Sequence, residues 1–273
     1  MAVVKPTFPV LQRTNLLSYG IVGCWPMTEG TGRVTADISG NGNNGVFNDS
    51  SLVWVERPLG NAISWGATPS GTTYLQCKSG RILSGLSFWS IAAIFTSGGG
   101  GNAIYCERAA SGNDILKLDF KAPYIDAPYV TYRNDAGNLL QTSPSGNYAD
   151  SLPHVAIATC NNGAISVYVD GVVNNTGNAT IGTMTDSGVQ CTIGGDVQDG
   201  GAYWNGDISG VTLYNYCLTL SQVIAITGDM FAVARQRIKT PLKGSSTTTP
   251  TTWGYDNSFP HRASNDGVVL VPY

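Results

Sequence analysis

Charge is scarce in this chain. Of 273 residues, 12% are Asp, Glu, Lys or Arg, about half the ordinary share. Three are glutamates, Glu29, Glu56 and Glu107, and there are two histidines, His154 and His261. Each shortage excludes something. The net charge is −3, without the basic footprint that nucleic-acid binding requires. No run approaches 18 apolar residues, so no membrane-spanning helix is expected. Residues 1–20 carry Pro6, Pro9, Gln12 and Arg13 where an export signal needs a continuous apolar stretch, and no export signal is expected. No glutamate has a second carboxylate two or four residues along, so the paired acid and nucleophile of a glycosidase strand are missing. Neither histidine accompanies a nucleophile in a recognisable elbow. The reading is therefore non-enzymatic.

The six cysteines, Cys24, Cys77, Cys106, Cys160, Cys191 and Cys217, form no C-x-x-C pair and sit near no histidine at zinc spacing. Most lie in apolar runs such as IVGCW and LYNYCL. They read as buried free thiols that pack as small hydrophobes. The competing reading is disulfides formed in an oxidising compartment.

What the chain does have is glycine, 34 residues of it, among short apolar runs. In the segment HVAIATC–NNG–AISVYVDG–VV, Ile165, Val167 and Val169 alternate with Ser166 and Tyr168. A period of two marks a strand with one buried face. Asp170-Gly171 signals a type I′ turn, because both central positions need positive φ, and Asn162-Gly163 turns the chain at the other end. Further strands are expected at 21–25, 62–65, 74–77, 87–95, 102–107, 115–120, 129–133, 191–193 and 210–216. Many short strands with this punctuation indicate an all-β sandwich or jelly roll. One helical segment is expected from about Leu220 to Ile238, with Thr219 and Gln222 as a capping box. Gly228-Asp229 would end a first helix there and cap a second. Residues 243–252 (KGSSTTTPTT) read as a linker, and GVVLVPY closes the chain as a short apolar strand. The expected organisation is an extended arm over 1–15, a sandwich over 16–238 that ends in a short helical segment, and a Ser/Thr/Pro-rich linker with an anchoring strand over 239–273.

Five segments, in order, resemble the laminin-G-like family of concanavalin-A-like domains. They are GIVGCWPMTEGTG (20–32), DISGNGNNGVF (37–47), NAISWG (61–66), PHVAIATCNNGAISVYVDGVV (153–173) and the closing run 192–226. The resemblance implies a jelly-roll β-sandwich. It leaves function open, because this fold hosts lectins, adhesion modules, hydrolases and virion proteins. It also suggests a structural Ca²⁺ at Asp37, Asn41, Asn43 and Asp207, since hard oxygen ligands suit that ion. The competing reading has Gly40, Gly42 and Gly45 shaping a turn whose backbone Asp37 and Asn41 bond. The family's usual Asp-Glu pair on the closing strand is replaced by Ser209 and Gly210, with Asp207 offset by two.

Sugars need a planar ring to stack on and polar groups for their hydroxyls. Trp54, Tyr124, Tyr129 and Tyr203 are the candidates, while Trp204 reads as core. Arg235, Arg237, Lys239 and Lys243 form a basic stretch. It reads either as cations complementing a helix C-terminus or as an anchor onto an acidic partner. Val268, Val269, Leu270 and Val271 could add a strand to a neighbour's sheet edge. The run CLTLSQVIAITGDMFAVARQR (217–237) resembles the end of this fold in bacteriophage virion proteins. That resemblance implies a capsid or tail protein in several copies, bound to other virion proteins and facing host glycans, made in the host cytoplasm, with no nucleic acid or membrane as partner. The alternative is a free extracellular carbohydrate-binding module.

Overall fold

The computed structural model describes residues 5–6, 9–65, 73–100, 103–109, 112–122, 125–198 and 204–236. The chain divides into one unit of Met1–Arg235 and a second of Gln236–Tyr273. In chain order the strands are β1 (Pro9–Leu11), β2 (Ile21–Trp25), β3 (Val34–Thr35), β4 (Gly45–Phe47), β5 (Val53–Arg57) and β6 (Gly60–Ser64). They continue with β7 (Leu75–Ser79), β8 (Phe88–Ser97), β9 (Ala103–Ala109), β10 (Ile115–Ala122), β11 (Ile125–Arg133) and β12 (Leu139–Gln141). The last are β13 (His154–Asn161), β14 (Ala164–Val169), β15 (Val172–Asn178), β16 (Val189–Ile193), β17 (Gly206–Tyr214) and β18 (Ala234–Gln236), with helix α1 (Leu220–Gly228) before β18.

Two antiparallel sheets form the sandwich. The front sheet runs β12-β11-β10-β9-β16-β7-β4-β3. The back sheet runs β15-β14-β13-β8-β17-β6-β5, with β2 also on β17. Strands far apart in sequence sit side by side, so the order is set by packing between the faces. The expected alternation holds where one face is wet. Ile165, Val167 and Val169 of β14 are buried and Ala164 is exposed. Asp170 and Gly171 turn this strand into β15 with φ of 52° and 80°, the two positive values of a type I′ turn.

Strand β8 shows why the back sheet is the middle layer. Ile91, Ala93 and Phe95 point into the main core, while Ala92 and Ile94 belong to a second core. That second core adds Val223 and Ile226 of α1, then Met230, Phe231 and Val233. A strand covered on both faces reads as a continuous apolar run, which explains FWSIAAIF (88–95). Thr219 caps α1 through the expected box with Gln222. The expected second helix does not form. Asp229 Oδ1 accepts the N–H of Phe231 at 2.9 Å, and the chain then extends into β18, which pairs with β1. Burying Met230, Phe231 and Val233 against the back sheet outweighs the local helical pattern.

All six thiols are free, and five of them, Cys217 excepted, are buried. Burial pushes the Cys24 thiol up to about 12, against a hydrogen bond with Thr212 that pulls it down. The folded value lies above the unfolded one, so this contribution is complete below about pH 9 and is lost as pH rises toward 12. The wild type is expected to lose its advantage over Cys24→Ala across that range, by about 1.4 kcal/mol per pH unit. Denaturant titrations at pH 8 and 10.5 check this, and parallel pH profiles for the two proteins would contradict it.

Candidate functional site

The two outer faces differ. The back sheet's outer face is sealed by α1 and the segment after it, whereas the front sheet's outer face carries charge. On β10, Leu116, Leu118 and Phe120 enter the core, which turns Lys117 and Asp119 outward. Ladder pairing places Lys117 opposite Cys106 of β9 and Thr131 of β11, and Asp119 opposite Tyr129. Gln141 of β12 lies opposite Thr131. The turn after β16 brings in Asp196, held by a Thr192 hydroxyl bond to the Gly195 carbonyl at 2.6 Å and by the Gln198 N–H on its own Oδ1 at 2.9 Å.

These groups form one compensated network. Lys117 Nζ lies 3.3 Å from Asp119 Oδ1 and 3.2 Å from Asp196 Oδ2. Arg108 Nη1 reaches Asp196 Oδ2 at 2.7 Å. Thr131 donates to Asp119 Oδ2 at 2.7 Å, and Gln141 Nε2 lies 3.5 Å from the Thr131 hydroxyl. Lys117 is 8%, Asp119 1% and Asp196 2% exposed, so the electrostatics are those of a low-dielectric site. Burial pulls the Lys117 ammonium down, but Asp119 and Asp196 together carry it above the ordinary range. Burial pushes the Asp119 carboxyl up, only partly opposed by Lys117 and Thr131. For Asp196 burial is overridden by Lys117, the Gln198 N–H and Arg108, which hold it below its usual value. Two cations face two anions and the net charge is zero. Tyr129 is buried beside Asp119, and burial first, then that carboxylate, pushes its hydroxyl up. It is a protonated donor at neutral pH.

The residues expected to bind sugar are not gathered in one place. Tyr129 lies in this network. Trp54 is on β5, the far edge of the back sheet, where its ring tilts against Phe47 at 5.6 Å and its Nε1 donates to the Gly32 carbonyl at 2.9 Å. Tyr124 and Tyr203 lie outside the described residues, as do Arg237, Lys239, Lys243, Val268, Val269, Leu270 and Val271. Arg235 is placed by its backbone in β18. Trp204 is fully buried among Phe95 and Phe120.

The four residues expected to hold a cation behave as follows. Asp37 Oδ1 accepts the N–H groups of Cys24 and Ser39, each at 2.9 Å, and Oδ2 accepts the Ser39 hydroxyl at 2.8 Å and the Asn43 N–H at 3.0 Å. Asn41 and Asn43 donate their amides to the Val22 carbonyl. Asp207 pairs with Arg57 at 2.6 Å. The Asp37 carboxylate is thus spent on the backbone of its own turn, and this arrangement does not fit a cation. Among the described residues three carboxylates do converge elsewhere, those of Asp114, Asp135 and Asp186.

Glu29, Glu107 and His154 are likewise occupied. Glu29 accepts the Ala36 N–H at 2.8 Å and the Thr35 hydroxyl at 3.2 Å. Glu107 is buried and accepts the N–H groups of Leu83 and Ser84 and the Tyr105 hydroxyl. Glu56 is exposed on β5. His154 packs between Phe95 and Tyr148 and contacts Asp170 and Asp150 at 2.7 and 3.1 Å.

Two antiparallel sheets, one outer face sealed and the other polar and fixed, define a lectin-like jelly-roll sandwich. The chain belongs to the concanavalin A-like lectin/glucanases superfamily, whose family model matches residues 69–224. No curated protein matches the sequence. Among solved structures, it is similar to domain 4 of AbnA, a GH43 extracellular arabinanase from Geobacillus stearothermophilus, in complex with arabinotriose. That match has 15% identity and a TM-score of 0.61, covering 76% of this chain and 98% of that domain. It is also similar to the binding domain of Paraclostridial Mosquitocidal Protein 1, with 12% identity, TM-score 0.60, and 79% and 53% of the two chains covered. The binding domain of Botulinum Neurotoxin DC, in complex with SialylT, follows with 9% identity, TM-score 0.57, and 78% and 52% covered. The chain thus spans about half of each toxin domain. At these identities the likeness is one of fold.

Proposed function

We propose that this chain is a non-catalytic virion structural protein of a bacteriophage, displayed in several copies on capsid or tail, which contacts host glycans through the outer face of its front sheet. The observation that carries the glycan reading is the contrast between the two outer faces. The back one is closed by apolar packing, and the front one holds a hydrogen-bonding network of zero net charge that meets solvent at its Gln141 edge. Such a surface suits the hydroxyls of a neutral oligosaccharide better than an acidic one. The non-catalytic reading is supported by the three glutamates, two spent on backbone N–H groups and the third alone on an edge strand. Asp119 and Asp196 have pKa values pushed apart, as an acid and base would, but both are buried under cations and closed to substrate. The virion reading is supported by six free thiols in a fold of extracellular type, which suits assembly in reducing cytosol. It is also supported by the sequence of residues 217–237.

Mass spectrometry of purified phage particles tests display, with a stoichiometric chain as the expected result. Binding of arabinotriose and of a sialylated oligosaccharide to the full chain tests the face. Gln141→Ala, on the exposed edge of the network, is expected to weaken neutral-sugar binding about tenfold, which is ~1.4 kcal/mol. Ile224→Ser, on the exposed side of α1, is expected to change nothing. The opposite pattern would move the site to the back of the molecule. Absence from particles with sugar binding intact would favour a free carbohydrate-binding module, the reading the arabinanase domain's arabinotriose complex supports. Turnover of a polysaccharide would sink the non-catalytic reading.

A further inference from the structure

We propose that Cys77 and Cys191 form a redox site, a dithiol that small disulfides oxidise to a cross-strand bond between β7 and β16. The ladder pairs Ile193 with Leu75 and Thr192 with Gln76, and one further step in that register sets Cys191 opposite Cys77. The register shifts beyond this point, where Gln190 pairs with Ser79. Both cysteines turn inward to the main core. Directly opposed residues of an antiparallel ladder have Cα atoms about 4.5 or 5.5 Å apart. A disulfide accepts about 4.4–6.8 Å, so it fits either spacing.

The other four thiols are differently placed. Cys24 lies in the second core and contacts the Thr212 hydroxyl at 3.5 Å. Cys106 lies opposite Lys117 in the ladder between β9 and β10. Cys160 donates to the Ser87 carbonyl and Cys217 to the Leu218 carbonyl, each at 3.6 Å.

Cys77 is 6% exposed and Cys191 is fully buried, which orders the steps. The Cys77 thiolate attacks a small disulfide, RSSR. A bond forms between the Cys77 sulfur and one RS group, the S–S bond of RSSR breaks, and one RS⁻ leaves. The Cys191 sulfur then attacks the Cys77 sulfur, and the second RS⁻ leaves as the protein disulfide closes. Each departing thiolate takes up one of the two protons. The protein is thus oxidised by two electrons, and the small disulfide is reduced to two thiols. Burial first, then the Cys77 thiol beside it, pushes the Cys191 thiol up, so the second step is the slow one. Cys191 donates to the Tyr105 hydroxyl at 3.4 Å, and Tyr105 donates to the Glu107 carboxylate. That chain gives the Cys191 proton an acceptor as its sulfur attacks.

In a reducing cytosol both residues stay thiols, and in an oxidising medium the bond closes. It ties β7, with β4 and β3 beyond it, to β16 and the rest of the front sheet. This chemistry is independent of whether the chain binds glycans or sits on a particle.

The test exposes the folded, reduced full chain to oxidised glutathione at pH 8, blocks the remaining thiols and maps the peptides by mass spectrometry. The expected result is loss of two of the six thiols and a peptide linked through Cys77 and Cys191. The closed loop spans roughly 115 residues, so Tm should rise on the order of 10 °C and fall back on adding dithiothreitol. Cys77→Ala is expected to keep its remaining thiols and to show no rise. Six thiols still free in the wild type would overturn the site. So would a bond between any other pair, or a glutathione adduct that stays on Cys77 without closing.

Discussion

Lys117→Met is expected to destabilise the chain by about 3–5 kcal/mol, because it removes the cation between two buried anions. The loss is not the worth of one ion pair. Lys117 Nζ lies near both Asp119 and Asp196, and Arg108 bonds Asp196 at 2.7 Å. Without Lys117, Asp119 keeps the hydrogen bond from the Thr131 hydroxyl but loses the ammonium beside it. Its carboxyl, already raised by burial, should rise further and take up a proton. A folded value above the unfolded one destabilises at neutral pH, and the penalty fades as pH falls through the folded value toward the unfolded one. The variant should therefore recover part of its deficit relative to the wild type between pH 7 and about 4, because its Asp119 carboxyl is raised further than the wild type's. Adding Asp119→Asn should restore stability at pH 7. Denaturation curves at pH 7 and 5 decide the matter. A deficit that does not depend on pH would mean that Lys117 acts through the packing of its stem.

Trp204→Ala is expected to cost about 3–5 kcal/mol, the range for emptying an aromatic site in a core. Its ring meets Phe95 of the back sheet at 5.6 Å and Phe120 of the front sheet at 5.1 Å, both edge-on. Phe95 and Phe120 meet each other at 5.3 Å. The tryptophan thus closes a three-ring contact between the sheets, beyond the area it buries. Its Nε1 is buried and makes no hydrogen bond, so Trp204→Phe forfeits ring volume but no polar contact. That variant should lose less than about half as much. A Tm series over wild type, Trp204→Phe and Trp204→Ala checks the order. Equal losses in the two variants would place the stabilisation in the indole edge rather than in the stack.

The same two residues mark the boundary between what was legible and what was not. Trp204 could be assigned to the core from its place before Asn-Gly in the closing segment, and there it is. Lys117 could not be assigned. In ILKLDFKA the alternation fixes a strand with Lys117 and Asp119 on one face, and charges on such a face ordinarily meet water. What Lys117 meets instead is Asp196, 77 positions beyond Asp119 in sequence, delivered by the turn after β16, the strand paired with β9. The second helix expected after Gly228 failed for a similar reason, because the back sheet offered Met230, Phe231 and Val233 a core that local pattern does not record. The short strands β3, β4, β5 and β12 were also missed, since two to five residues carry too little periodicity.

By itself the sequence determined the all-β class, the type I′ turn at Asp170-Gly171, the capping box at Thr219 and the alternation that fixes which side of β10 and β14 is apolar. These are local properties, set by φ preference, side-chain reach and a period of two. Only the tertiary structure decided which polar side chains meet. It spent Asp37 and Glu107 on backbone N–H groups, separated Trp54 from Tyr129, and brought Asp114, Asp135 and Asp186 together from three turns. Contacts of that kind follow from strand order, which the packing of two sheets selects and no local pattern encodes.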